Sequence, residues 1–255
     1  MPAEESTPAI VIRARDYADS DRIVTLLTLE AGKLSGIAKG AKASRHRFER
    51  KLEPFSHVML HFKRRPHGQL VFITKAEAAD LPQHVLDDDL GKIALGSYML
   101  ELSDALTTEE SEAAEAYRIL EAGLRTLAAM SLSASLKQSF ELKILGWAGY
   151  GLEFARCRVC AEAVTAESDA MYFVLARGGI VCTRCRNSIP EGAIRMGALS
   201  AYALARLANA TLADAPHLPA SGAEGAAALA RFISSILDRK LRSAAFLESI
   251  LGGGA

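Results

Sequence analysis

Phe55-Ser56-His57-Val58-Met59-Leu60-His61-Phe62-Lys63-Arg64 places Val58, Leu60 and Phe62 on one face and His57, His61 and Lys63 on the other. A period of two marks a half-buried strand. Pro66-His67-Gly68 then makes a turn into a second strand, Leu70-Val71-Phe72-Ile73. Toward the N-terminus, residues 10–15, 22–29 and 33–38 read as three more strands, with Gly32, Gly40, Pro54 and Gly68 at the junctions. Five short strands within about 80 residues predict a small closed barrel, of which the five-stranded oligonucleotide-binding (OB) fold is the commonest kind. An SH3-like barrel fits the same spacing.

Beyond Pro82 the period changes to 3.6. Leu95, Met99, Leu102 and Leu106 share one helical face, as do Tyr117, Leu120, Leu124 and Leu127, and then Leu136, Phe140, Ile144 and Trp147. Asp87-Asp88-Asp89 stands where a helix would begin, and its carboxylates suit the positive end of the helix dipole. Helical text resumes over residues 198–210 and 226–251, separated by a loose Pro- and Gly-containing segment. The expected architecture is α+β: a five-stranded barrel domain over residues 1–80, then an all-α domain over 81–255. An insertion at about 151–190 interrupts the helices.

That insertion holds all four cysteines of the chain, as Cys157-Arg158-Val159-Cys160 and Cys182-Thr183-Arg184-Cys185. Each C-x-x-C turn points two sulfurs inward, and two such turns supply the four tetrahedral thiolates of a structural zinc ion. Met171-Tyr172-Phe173-Val174-Leu175 and Gly179-Ile180-Val181 read as a hairpin joining the two turns, with Arg177-Gly178-Gly179 as its bend. Disulfides are disfavoured if the compartment is reducing. Catalytic zinc needs an open coordination position, which four cysteines fill. Arg156, Arg158, Arg177, Arg184 and Arg186 flank the cysteines; their simplest role is to offset the charge of a tetrathiolate, and DNA contact is the sharper alternative.

Net charge is zero, yet the charge is segregated. Residues 33–65 hold ten basic side chains against two acidic ones, a net of +8, whereas residues 86–121 hold ten acidic against two basic, a net of −8. A polyanion partner is therefore compatible with the neutral total. The basic residues concentrate in Ala38-Lys39-Gly40-Ala41-Lys42-Ala43-Ser44-Arg45-His46-Arg47-Phe48, between the third and fourth strands. Its small residues let backbone approach a partner while its cations neutralise phosphates. Tyr17 or Phe48 can offer a stacking face, although anchoring of the loop in the barrel is the better reading for Phe48.

Gly36-Ile37-Ala38-Lys39-Gly40-Ala41-Lys42, continued by Arg47-Phe48 and Leu52-Glu53-Pro54-Phe55, resembles the N-terminal signature of the DNA repair protein RecO family. Asp19-Ser20-Asp21-Arg22-Ile23-Val24, Ala76-Glu77, Gly146-Trp147-Ala148-Gly149-Tyr150 and Arg239-Lys240-Leu241-Arg242-Ser243 fit the same family in the same order, and the cysteines match its zinc-bearing members. The resemblance implies an OB-fold barrel, a helical domain with a zinc insertion, binding of single- and double-stranded DNA, and strand annealing. It also implies action with RecR, sometimes RecF, to help RecA replace single-strand-binding protein on gaps. Lys39, Lys42, Arg45 and Arg47 carry over as DNA contacts; Lys33, Lys63, Arg64 and Arg65 join them as cations of the same basic window.

No P-loop, H-E-x-x-H or Ser/His/Asp text occurs, and the six histidines form no ligand spacing with the cysteines, so an enzyme is not expected. The alternative is a non-catalytic adaptor whose helical domain binds proteins and whose basic face is incidental. No stretch approaches the roughly 18 apolar residues of a membrane span. A soluble bacterial protein of the cytoplasm, associated with the nucleoid and away from membranes, is the expectation.

Overall fold

The computed structural model describes residues 3–44, 46–48, 50–65, 70–79, 89–109, 112–189, 191–237 and 239–252. Arg45 and the turn at Pro66-His67-Gly68 lie outside these, as does most of Asp87-Asp88-Asp89. By contact the chain forms two compact units, residues 1–129 with 243–255, and residues 130–242. This grouping follows proximity in space, whereas the division near residue 80 follows the change of sequence period.

The first unit is built on a closed barrel of β1 (Glu4–Tyr17), β2 (Asp21–Thr28), β3 (Lys33–Ala38), β4 (His57–Lys63) and β5 (Val71–Ala78). Its strand order is β1-β2-β3-β5-β4, with β4 pairing back onto β1, as in an OB-fold. β1 is more than twice as long as its sequence suggested because it serves both sides of the barrel. Its first half pairs with β4 (Glu4 opposite Lys63) and its second with β2 (Tyr17 opposite Asp21), with a register shift between Val11 and Arg13. Such a bulge lets one strand bend around the closure.

Val11, Val24, Leu26, Val58, Leu60, Phe62 and Ile73 fill the interior, and Phe48 and Leu52 from the β3–β4 loop join them. Phe48 thus anchors the loop in the core. The last closure is the parallel pairing of β3 with β5 through Gly36 opposite Val71 and Ile37 opposite Phe72. A Cβ on Gly36 would lie 2.7 Å from Ile73 Cγ1 and 3.0 Å from Val71 Cγ2, so glycine is the residue that permits it.

Two helices, α1 (Leu90–Leu106) and α2 (Ala114–Ala129), pack against the barrel in the same unit. Asp89 caps α1, accepting hydrogen bonds from the Gly91 and Lys92 amides. The outward row His57–Ile10–Leu27, on β4, β1 and β2, is buried. His57, which strand alternation alone assigns to solvent, is therefore an interior residue.

The second unit contains α3 (Ala134–Trp147), α4 (Ala198–Asn209) and α5 (Gly222–Ile236), with a small antiparallel sheet of β6 (Met171–Val174), β7 (Gly179–Cys182) and β8 (Ile194–Met196). The predicted hairpin forms, with Gly178 at φ +56° in its turn, and β8 adds a third strand that the sequence did not announce. The predicted last helix is two: α5 ends at Ile236, Leu237 turns extended, and α6 (Arg242–Gly252) follows as a separate helix. Ser243 begins α6 by donating both its amide and its hydroxyl to Glu101 of α1, at 2.8 and 2.6 Å.

Burial, reinforced by the Arg125 guanidinium, holds the His57 pKa down to about 4. Because the folded value lies below the unfolded one of roughly 6.5, the unfolded chain protonates first. Stability is then fully present above pH 6.5 and is lost as the pH falls toward 4, by up to about 3 kcal/mol. His57→Gln is expected to flatten the dependence of chemical-denaturation stability on pH between 7 and 4.5. An equally steep dependence in the variant would reject this account.

Candidate nucleic-acid interface and metal centre

The basic loop leaves β3 at Lys39 and is braced by the β1–β2 turn. Asp21 Oδ1 accepts from the Gly40 amide at 2.8 Å, and Ser20 O accepts from the Lys42 amide at 3.0 Å. Gly40 has φ +66°, a conformation that explains the glycine there. Farther along, Arg47 O accepts from the Ala76 amide at 3.0 Å, and the Arg47 guanidinium reaches back to Lys39 O at 3.1 Å and lies over the Phe48 ring at 5.0 Å. The buried phenyl ring and these backbone bonds tie the described parts of the loop to the barrel while Lys39, Lys42 and Arg47 stay exposed.

The sequence-predicted cations divide into three groups. Lys39, Arg47, Lys63 and Arg65 pair with no carboxylate among the described residues. Lys42 lies 3.0 Å from Asp16, whose carboxyl it holds below the usual carboxylate range, and Arg64 lies 3.1 Å from Glu5; both pairs are solvent-exposed and weak. Lys33 is different. Its ammonium lies 3.2 Å from Asp104 Oδ1 and 2.9 Å from Asp104 O of α1, and only 14% of its side chain is exposed. Lys33 ties helix to barrel, so it is removed from the candidate interface. Placement of Arg45 lies outside the described residues.

Sequence reasoning missed a groove on the outer face of β1, β2 and β3. It has a volume of about 280 Å³ and is lined by Arg13, Arg15, Ile23, Thr25, Ser35 and Leu70. Register explains the convergence: Arg13 stands opposite Thr25 and Thr25 opposite Ser35, while Arg15 stands opposite Ile23. Tyr17, 52% exposed, continues the strand beyond Arg15. The alternation of β1 announces Arg13 and Arg15 as outward-facing, but not that α1 and α2 cover one part of that outer surface and leave this one open.

In the second unit the four cysteine sulfurs lie within 4.8 Å of one another. Cys160 and Cys182 Sγ are 3.7 Å apart, far beyond a disulfide bond and close to the roughly 3.8 Å edge of a tetrahedron with metal–sulfur distances near 2.3 Å. The first turn folds back through Ala161, at φ +58°, and its backbone pairs with β7 by Arg158 N to Ile180 O at 2.8 Å. Gly179 permits that approach, since a Cβ there would sit 2.8 Å from Glu153 O. Amides of Val159 and Cys182 donate to Cys157 Sγ, each at 3.4 Å.

Burial raises the Cys157 thiol, but the surrounding amides outweigh it and draw its pKa down to about 6. Burial and the neighbouring thiols push Cys185 up to about 12 and raise Cys182. Four sulfurs this close cannot all ionise against one another, and a divalent cation is the partner that would let them. The donor set therefore fits a closed tetrathiolate metal site. Of the flanking arginines, Arg156 donates to Ala161 O, Arg158 to Gly151 O and Gly178 O, and Arg184 pairs with Glu162. These three brace the lobe itself.

Two sequence families together match nearly the whole chain: "Recombination protein O N terminal" over residues 1–82 and "Recombination protein O C terminal" over residues 87–245. The chain is 35% identical to the DNA repair protein RecO of Anaeromyxobacter sp. (strain Fw109-5), over 94% of each chain. It is 31% identical to that of Symbiobacterium thermophilum, over 94% of this chain and 95% of the relative. For the RecO of Syntrophotalea carbinolica the identity is 31%, over 98% and 96%. Among the described residues no helix is long and apolar enough to cross a membrane.

Reduced protein titrated with cobalt(II) is expected to develop the visible absorption of a tetrahedral tetrathiolate with an end point at one equivalent. Cys157→Ser or Cys182→Ser should weaken it, and acid should release the metal as thiolates protonate. No thiolate–cobalt absorption in reduced protein would rule the site out.

Proposed function

Because the chain belongs to the RecO family of DNA repair and recombination proteins, we propose that it is a non-catalytic recombination mediator that binds single- and double-stranded DNA and anneals complementary strands. The observation that carries the reading is the braced loop of Lys39, Lys42 and Arg47, exposed on an OB-fold barrel beside an open groove lined by Arg13 and Arg15. OB-folds take oligonucleotides on the face of strands 2 and 3 and at the loops after strands 1 and 4, and the basic β3–β4 loop adds charge to that arrangement here. Lys63 at the end of β4, with Arg64 and Arg65 just after it, belongs to the same proposed set. Arg45 belongs to the same proposed set on sequence grounds.

Annealing makes and breaks no covalent bond. Two strands repel through their phosphates, and a surface that neutralises both raises their local concentration while releasing counterions. Arg13, Arg15, Lys39, Lys42 and Arg47 supply that charge here, and Tyr17 supplies a flat ring for a base. The metal in the four-cysteine site is proposed to be zinc, held by Cys157, Cys160, Cys182 and Cys185 in a structural role. The domain boundary near residue 80 is proposed to separate the DNA-binding module from the helical one. Partnership with RecR, in some cases RecF, and assistance to RecA on gaps coated by single-strand-binding protein rest on the family. A cytoplasmic, nucleoid-associated location follows from that role.

The charge reversals Lys39→Glu and Lys42→Glu together are expected to weaken binding of a single-stranded oligonucleotide at least tenfold at low salt. They should flatten the log–log salt dependence by about 0.7 for each phosphate that is no longer neutralised, and slow annealing in parallel. An unchanged salt slope and annealing rate would defeat the reading. Reversal of Lys33, already paired with Asp104, is expected instead to lower stability.

A further inference from the structure

The groove is bordered by the chain's own carboxylates. Asp104, near the end of α1, is 9% exposed and lies 3.4 Å from Arg13 and 3.2 Å from Lys33. It pins the helix end beside the groove. Three residues beyond the end of that helix, Glu109 is exposed and accepts a hydrogen bond from the Ser35 hydroxyl at 3.2 Å. Arg13 and Ser35 are two of the six residues that line the groove, and they lie in one cross-strand row through Thr25.

These two carboxylates differ in kind. Asp104 is buried between two cations, and separating it would strand charge. Glu109 is solvent-exposed and holds a single hydroxyl, a contact that an entering anion can replace. A phosphodiester oxygen has the same requirements as the Glu109 carboxylate: one negative charge and acceptor lone pairs for Ser35, with Arg13 nearby.

Resting on the reading of this groove as a DNA track, we propose that Glu109 is a built-in competitor. It occupies on Ser35 the place of a backbone phosphate, and a strand entering the groove displaces it. The α1–α2 connector thereby sets how tightly the open groove holds nucleic acid, because a strand that ejects an internal anion gains less than one that meets an empty row. Asp104 keeps the end of α1 on the barrel when Glu109 is displaced.

The test is a salt titration of single-stranded oligonucleotide binding to the full chain and to the Glu109→Ala and Glu109→Gln variants. Glu109→Ala is expected to bind severalfold more tightly at low salt, with a salt slope steeper by about 0.7, the share of one further phosphate. Glu109→Gln, which keeps an acceptor for Ser35 but no charge, should fall between. Bound oligonucleotide should also speed hydrogen exchange at residues 107–109 of the wild-type chain. If both variants match wild type in affinity and slope while the wild type binds DNA, the competitor role is overturned and the DNA reading stands. If the wild-type chain binds no oligonucleotide, the DNA reading fails and takes this inference with it.

Discussion

The whole barrel depends on how β3 approaches β5. A five-stranded sheet this small closes only if its last two strands come close enough to pair, and here two residue pairs do it, Gly36 with Val71 and Ile37 with Phe72. The side chains of Ile73 and Val71 already fill the space that a Cβ at position 36 would need. Closure fixes the ends of β3 and β5, and these fix the start of the basic loop at Lys39 and the rim of the groove at Leu70. The placement of the cations is thus a consequence of packing inside the barrel. Phe48 extends the same logic: a loop that must present charge outward is held by an aromatic ring buried inward.

Charge segregation along the sequence is bridged in space where α1 and the residues just after it meet the barrel. The basic window 33–65 and the acidic window 86–121 meet within one compact unit, where Asp104 binds Lys33 and Arg13, and Glu109 binds Ser35. Helices that look electrostatically remote from the barrel are partly its counterions. A count of cations therefore overstates the surface available to phosphate, and burial sorts the cations held by the fold from those open to a ligand. Lys33 and Lys39 look alike in sequence and stand six residues apart, yet one is 14% exposed and ion-paired while the other is exposed with no carboxylate partner among the described residues.

Much of this was legible from residue order because periodicity reports which face of an element is apolar. Val58, Leu60 and Phe62 are interior, and the two C-x-x-C turns converge, as their spacing required. Periodicity does not report which outer face another element will cover. His57 and Arg13 both point out of the barrel; one is buried in the row with Ile10 and Leu27, the other opens on a groove. The first residues of β1, Glu4 to Pro8, carry polar and acidic side chains with no strand signature, and their pairing with β4 is dictated by the partner's register. The third strand of the cysteine lobe, Ile194–Met196, is too short to announce itself and forms because β6 has a free edge.

The cysteine lobe shows why a metal site suits this part of the chain. Residues 151–190 contain two four-residue strands and short turns, and their fully buried large side chains are few, Phe154 and Phe173 being stacked at 5.4 Å. Part of its apolar packing comes from outside the segment, Phe173 meeting Phe232 of α5 at 6.2 Å. The remaining constraint comes from four sulfurs brought within 4.8 Å, an arrangement that repels itself once more than one thiol ionises. Amides of Val159 and Cys182 favour a thiolate at Cys157, while the sulfurs of Cys182 and Cys185 hold their protons in the absence of a cation. A divalent cation would let all four sulfurs ionise together and would cross-link the two turns, so the donor set is compatible with a metal on grounds of both charge and stability.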